Sequence, residues 1–204
     1  NLNRLGKHTI ISNAPLTNYE FEYKDRIKQF CYVGLISYQR GLLHIAKALN
    51  KLNIKFMVAG VFANDEIKNN LLNLGNVEYL GYVNNEDKIN LISKSLCGVC
   101  TFLPIEHHLI SNPNKIYEYL NYGTPLICSD FEAYKKVVPS SKEFIHYCDI
   151  QNEEDTLKKI NEIISLDNKE INHQGKLGHI FIKKNYNWSL EEDKLYAIYK
   201  NLIN

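Results

Sequence analysis

Short apolar runs alternate with longer amphipathic segments along most of the chain, and the spacing names the elements one after another. Phe30 to Leu35 predicts a strand, with Gly34 near its end, and Gly41 to Leu52 a helix with Leu42, Ile45, Ala46 and Leu49 on one face. Ile54 to Gly60 reads as a buried strand. Asn64 to Leu74 reads as a helix, with Asp65 and Glu66 placed in its first turn to suit the helix dipole. Val77 to Gly81 is the next strand, Asn85 to Lys94 a helix and Cys97 to Leu103 a strand. A helix that starts near Asn112 follows, then a strand over Pro125 to Asp130, a short helix over Phe131 to Val138 and a strand over Glu143 to Asp149. Asn152 to Leu166 is an amphipathic helix, and helices near Lys169–Lys184 and Ser189–Ile203 end the chain.

Strand and helix in strict alternation, about six times over residues 30–166, specify an α/β fold with a Rossmann-like, doubly wound parallel sheet. Ligands of such sheets bind at the carboxyl ends of the strands. Gly34, Gly60, Gly81, Leu103-Pro104 and Asp130 all fall at strand ends, so the loops after them are expected to line one rim. Residues before Phe30 do not join this pattern. Lys7 to Ser12 could form a strand, but Asn13-Ala14-Pro15 breaks it, and Asn18 to Lys28 has no clear period. The pattern divides the chain into an entry segment over 1–29, a Rossmann-like domain over 30–184 and a final helix over 185–204.

Composition narrows the partners. A length of 204 residues allows a substantial core, and 45% hydrophobic with 23% charged residues is an ordinary globular balance. A net charge of +1 offers no basic surplus for nucleic acid. No apolar run approaches a membrane span, and no signal peptide opens the chain. The chain starts at Asn1 rather than Met, as a fragment of a longer protein would. The 5 cysteines are odd in number and lie mostly in apolar runs, which points to buried thiols in a cytoplasmic, reducing setting. Cys97 and Cys100 have redox or zinc spacing, but residues three apart on a strand face opposite ways.

The candidate chemistry gathers around Asn112-Pro113-Asn114-Lys115-Ile116-Tyr117-Glu118-Tyr119, followed by Gly123-Thr124-Pro125. Asn112 is a favourable N-cap, and Pro113 suits the first helical position. Lys115 then falls in the first turn beside unpaired backbone N–H groups, where a phosphate is welcome. Glu118 follows one turn later, in reach of sugar hydroxyls. An i,i+3 surface ion pair is the competing account. The loop from Gly34 to Gly41 lacks the G-x-G-x-x-G of dinucleotide sites, but it offers Arg40, whose guanidinium can grip a phosphate. His107-His108 have no further ligands at metal spacing and read as structural or exposed loop residues, the weaker alternative being that one of them reaches the substrate from the rim. No Ser–His–Asp order or G-x-S-x-G elbow is present, and Asp130 reads as an exposed N-cap.

Taken together, these residues resemble the C-terminal, donor-binding half of a GT-B glycosyltransferase of the retaining family 4 type, the glycosyl transferases group 1. Tyr32-Val33-Gly34 with Arg40-Gly41 resembles the first strand and phosphate loop, and Phe56-Met57-Val58-Ala59-Gly60 the second strand. Val77 to Val83 resembles the strand and turn that hold the base, and Asn114 to Tyr119 with Gly123 to Ile127 the nucleotide-sugar helix and the next strand. The resemblance implies that Arg40 and Lys115 hold the donor diphosphate and stabilise the leaving group. It implies that Glu118 binds ribose, that backbone at Gly34 and at Asn112, Pro113 and Asn114 meets phosphate, and that Tyr82 and Val83 contact the base edge. Leu35 stands where the family often has an arginine, and Ile110 where many members have a second glutamate.

The donor is then a nucleoside-diphosphate sugar, used without a metal or other cofactor. A glycan or lipid-linked acceptor would be bound through an N-terminal domain absent from this chain, in cell-surface polysaccharide synthesis. Peripheral association with the inner membrane face is compatible with that role. Sugar transfer by this chain alone is expected to be weak or nil. The alternative is a non-catalytic nucleotide-binding or interaction module of the same fold. An epimerase of this architecture would need catalytic carboxylates and a histidine that the sequence does not place.

Overall fold

The computed structural model describes residue 9 and residues 11–203. Its centre is one parallel sheet of 6 strands in the order β3-β2-β1-β4-β5-β6. The strands are β1 Ile27–Ile36, β2 Lys55–Phe62, β3 Val77–Tyr79, β4 Ser95–Cys100, β5 Leu126–Ser129 and β6 Ile145–Cys148. The helices are α1 Leu42–Lys51, α2 Asp65–Leu72, α3 Asn85–Lys94, α4 Glu106–Ile110, α5 Asn114–Asn121, α6 Glu132–Val137, α7 Glu153–Ile164, α8 Asn168–Asn185 and α9 Trp188–Ile203. Strand order reverses direction between β1 and β4, so the switch point of this doubly wound sheet opens between their carboxyl ends.

The sheet is covered on both faces, and for that reason its central strands are apolar throughout rather than alternating. Phe30 and Tyr32 belong to one core, with Leu42, Ile45, Leu49, Phe56, Val58 and Cys97. Cys31 between them belongs to the other, with Met57, Cys100, Ile116, Tyr119, Leu120, Cys128 and Tyr134. Cys97 and Cys100 thus face opposite cores, as the strand period requires, and all five thiols are free and buried. Among the described residues, no group of His, Cys, Asp and Glu could hold a metal ion, and no helix is long and apolar enough to cross a membrane.

Asparagine starts three of the helices by accepting a backbone N–H. Asn64 caps α2 through Ile67 N, Asn84 caps α3 through Asp87 N, and Asn152 caps α7 through Asp155 N. Three expectations at helix starts fail. The helix of the central motif begins at Asn114 with Pro113 in the cap position, not Asn112, because Pro113 is extended (ψ 129°) and its carbonyl accepts Ile116 N. Asp130 is not a cap: Phe131 takes that position in α6, and the Asp130 carboxylate pairs with Lys135. His107 and His108 lie on the short helix α4 instead of in a loop, and a 3-10 turn over Tyr38–Arg40 precedes Gly41.

β1 begins at Ile27, three residues earlier than the apolar run suggests, because Ile27 already pairs with Ser95 of β4, with an irregularity before the register resumes at Phe30. Lys7–Ser12, the proposed leading strand, lies largely outside the described residues, and Ile11 and Ser12 have no regular structure. From Ser12 onward the segment is tied to the last two helices. Ser12 N donates to Glu191 Oε2 (2.9 Å), Trp188 N to Pro15 O (2.9 Å), and Lys24 N to Asn172 Oδ1 (3.1 Å).

Arg26 then donates to Gly123 O (2.6 Å), Ser95 O (3.2 Å), Thr124 Oγ1 (3.2 Å) and Asn172 Oδ1 (3.3 Å). None of these acceptors is charged, and burial pushes the Arg26 pKa down to about 10. One guanidinium therefore joins the segment before β1, the start of β4, the α5–β5 turn and α8.

Two stability tests follow from this packing. Gly60 has φ +129°, and a Cβ there would lie 2.0 Å from Gly34 O. Gly60→Ala is expected to cost about 3 kcal/mol, from backbone strain and overpacking together, measured by urea denaturation. Arg26→Ala, which removes four hydrogen bonds and the donor to the Gly123 and Ser95 carbonyls, is expected to cost about 2–4 kcal/mol in the same assay.

Candidate functional site

The site begins with a strand that outruns its neighbour. β1 pairs with β2 as far as Ile36, but with β4 only as far as Cys31. Beyond that point the β4 side of β1 has open backbone groups, and a buried N–H or C=O must find a partner. α5 supplies them. Val33 N donates to Tyr119 Oη (3.2 Å), and Lys115 Nζ donates to Val33 O. Lys115 and Tyr119 are one helical turn apart, so both reach the same residue of β1.

This anchoring places the first turn of α5 at the switch point. The first N–H groups of a helix lack intrahelical partners and carry its positive dipole end. The Lys115 ammonium lies 4.6 Å from the Tyr32 ring centroid. A Cβ on Gly34 would come within 2.7 Å of Nζ, so glycine there leaves the ammonium its room. Burial lowers the Lys115 pKa, and the charge of Arg40 adds to that, while Glu118 works the other way.

Arg40 comes from the 3-10 turn after β1, and its guanidinium carbon stands 4.3 Å from the Phe102 ring centroid. Arg40 and Lys115 line one cavity of about 300 Å³, together with Tyr32, Leu35, Phe102, Ser111, Asn112, Pro113, Asn114 and both histidines of α4. No carboxylate lines it, and neither cation is in an ion pair among the described residues. His108 is buried, shares a hydrogen bond with Leu103 O through Nδ1 (2.9 Å) and packs on Phe102. Burial lowers its pKa, which keeps it a neutral wall residue.

Glu118 departs from expectation. Lys115 turns to Val33, and Glu118 instead accepts from Lys88 Nζ of α3 at 2.8 Å, so the i,i+3 pair does not form. Glu118 lines a second, larger cavity of about 850 Å³, with Asn85, Ile89, Tyr117, Asn121, Tyr122 and residues of the segment before β1. Asn114 lines both cavities and so marks where they meet.

Gly34, Arg40, Asn112, Pro113, Asn114 and Lys115 are therefore gathered at one place, and Glu118 stands next to it. Tyr82 and Val83 lie apart, on the loop after β3, where Gly81 O accepts Gly60 N (2.7 Å). Tyr82 is 86% exposed and lines neither cavity. Sequence reasoning missed Lys88, Tyr32, Tyr119 and Phe102. Their roles depend on contacts between distant elements, and no local pattern marks them.

The fold has relatives among known proteins. The family model "Glycosyl transferases group 1" matches residues 20–188. No curated protein matches the chain. Among solved structures, a point mutant of S. aureus TarM, in complex with Fondaparinux, alpha-GlcNAc-glycerol and UDP, is 15% identical with a TM-score of 0.69. That match covers 96% of this chain and 40% of TarM. A Rickettsia africae glycosyltransferase is 16% identical (TM-score 0.68; 86% of this chain, 48% of that one). The E. coli structure described as trehalose-6-phosphate bound with UDP-2-fluoro glucose is 14% identical (TM-score 0.62; 83% and 43%).

The chain thus spans less than half the length of these structures, and its sheet and flanking helices match the Rossmann-like fold found in GT-B glycosyltransferases. With 20–188 covered by the family model, the chain belongs to the glycosyl transferases group 1 family.

Proposed function

We propose that this chain is the C-terminal, donor-binding domain of a retaining, family 4-type glycosyltransferase. It binds a nucleoside-diphosphate sugar, and the acceptor, a glycan or lipid-linked saccharide of the cell surface, is held by an N-terminal domain. The observation that carries this reading is the cavity where Arg40 and Lys115 converge beside the α5 N-terminus with no carboxylate in its wall. Burial is the main reason the Lys115 pKa is lowered, with a smaller contribution from the Arg40 charge, and an anion between the two cations relieves both costs.

The diphosphate occupies this cavity, and the ribose lies toward Glu118. As the glycosidic bond breaks, negative charge grows on the diphosphate. Arg40 and Lys115 are already in place to stabilise it, so the leaving group needs neither a metal nor a protein nucleophile in our assignment. The new bond to the acceptor forms on the open side of the rim. UDP in the TarM complex and UDP-2-fluoro glucose in the E. coli structure are consistent with a nucleotide-sugar donor.

A second reading, a nucleotide-binding module without chemistry, draws on two side chains. Leu35 and Ile110 are 50% and 78% exposed at the rim, and neither can touch a sugar hydroxyl or a phosphate through a polar group.

Calorimetry with UDP, GDP and ADP tests the binding claim. One of them is expected to bind, and Lys115→Met to weaken it about 10- to 100-fold through loss of a charge-assisted contact. A chain that remains folded and binds none of the three would overturn the reading. Joined to its own N-terminal domain, the protein is expected to turn over nucleotide sugar, with EDTA leaving the rate unchanged. Intact binding with no turnover in that protein would select the module instead.

A further inference from the structure

Lys88 lies on α3, outside every motif that points to the site, yet it makes the only ion pair between α3 and α5 among the described residues. Its Nζ reaches Glu118 Oε1 at 2.8 Å, with both side chains about one-quarter exposed. The same ammonium stands 5.9 Å from the ring centroid of Tyr122, which lines the Glu118 cavity. Burial by itself would lower the Lys88 pKa. The hydrogen bond and charge of Glu118, with smaller contributions from Tyr122 and Tyr82, more than offset burial and leave the net shift upward. Lys88 is thus a cation at neutral pH, and its charge is directed at one carboxylate oxygen. Glu118 Oε2 has no hydrogen-bond partner among the described residues.

We propose that Lys88 is a positioning residue of the donor site: it fixes the Glu118 carboxylate for the ribose hydroxyls and screens its charge from the diphosphate. The inference rests on the nucleoside-diphosphate reading above. Two physical demands meet in this one side chain. A glutamate has three side-chain torsions to order before it can accept from two neighbouring hydroxyls, and a fixed Oε1 removes most of that freedom in advance. Each carboxylate oxygen has about two acceptor sites, so Oε1 can serve Lys88 and a hydroxyl together. A bare carboxylate would also repel a polyanionic diphosphate in the adjoining cavity, and the Lys88 ammonium cancels that charge locally.

The test compares each nucleoside diphosphate that the chain binds with its 2′,3′-dideoxy counterpart, by calorimetry, in wild type and in Lys88→Met, Lys88→Arg and Glu118→Ala. Wild type is expected to prefer the ribose form about tenfold or more, the size of a charge-assisted hydrogen bond. Lys88→Met is expected to lose most of that preference, as Glu118→Ala does, and Lys88→Arg to recover it. Lys88→Gln, which keeps length and polarity, replaces Lys88→Met if the latter melts early.

Undiminished ribose preference in folded Lys88→Met or Lys88→Gln overturns the role of Lys88 and leaves the donor reading standing. A wild type that binds diphosphates without ribose preference also removes the Lys88 role, through Glu118. A wild type that binds no nucleoside diphosphate removes the donor reading itself.

Discussion

The rest of the site depends on the unfinished edge of β1. A parallel strand that runs past its neighbour has backbone groups that water or side chains must satisfy, and here the solution comes from one helix. Tyr119 and Lys115 take the N–H and C=O of Val33, where a longer β4 would otherwise have paired. That contact fixes how far α5 projects along the sheet and points its N-terminus into the switch-point crevice. A β4 extended by a few residues would pair Val33, displace both side chains and close the crevice. The opening is therefore built from the same hydrogen-bond requirement that holds the sheet together.

Lys115 serves the structure and the site at once, and that dual role explains the division of labour around it. Its ammonium is held by Val33 O and the Tyr32 ring, so it faces an incoming anion with little freedom left to lose. Arg40 is held in a similar way by Phe102. Rigid cations on aromatic supports cost little reorganisation when charge develops, which is what the proposed departure of a diphosphate would require. Because Lys115 is committed to β1, Glu118 must find its partner elsewhere, and α3 offers Lys88.

The fold was legible because burial on both faces of a parallel sheet produces apolar runs that pattern reading detects. β5 and β6 fall inside their predicted runs, and α3 matches residue for residue. The misses are local. Asn112 looked like a cap by composition, but the extended Pro113 moved the helix start by one residue. The histidines looked like loop residues because α4 is too short to show a period. At the site, Arg40, Lys115 and Glu118 stood out as charged residues near strand ends or a helix start, and the rim prediction brought the first two to one cavity. The pairing was not legible. Lys88 to Glu118 and Lys115 to Val33 span different elements, and their geometry exists only once the sheet is assembled.

The segment before β1 is the least regular part of the described chain that lines a cavity. Residues from Asn13 to Tyr19 form a wall of the Glu118 cavity, and α9 holds that wall through Trp188 and Glu191. The wall is made of chain without regular structure, secured by a few hydrogen bonds rather than by the core. If, as proposed, this segment joins the domain to a second one, a shift of either half would move the wall beside Glu118. The cation cavity has no such dependence, since β1, the 3-10 turn and α5 all belong to the sheet domain. Under the proposed function, affinity for the diphosphate would reside in this chain, while the shape of the nucleoside end and the access of an acceptor would answer to the proposed second domain.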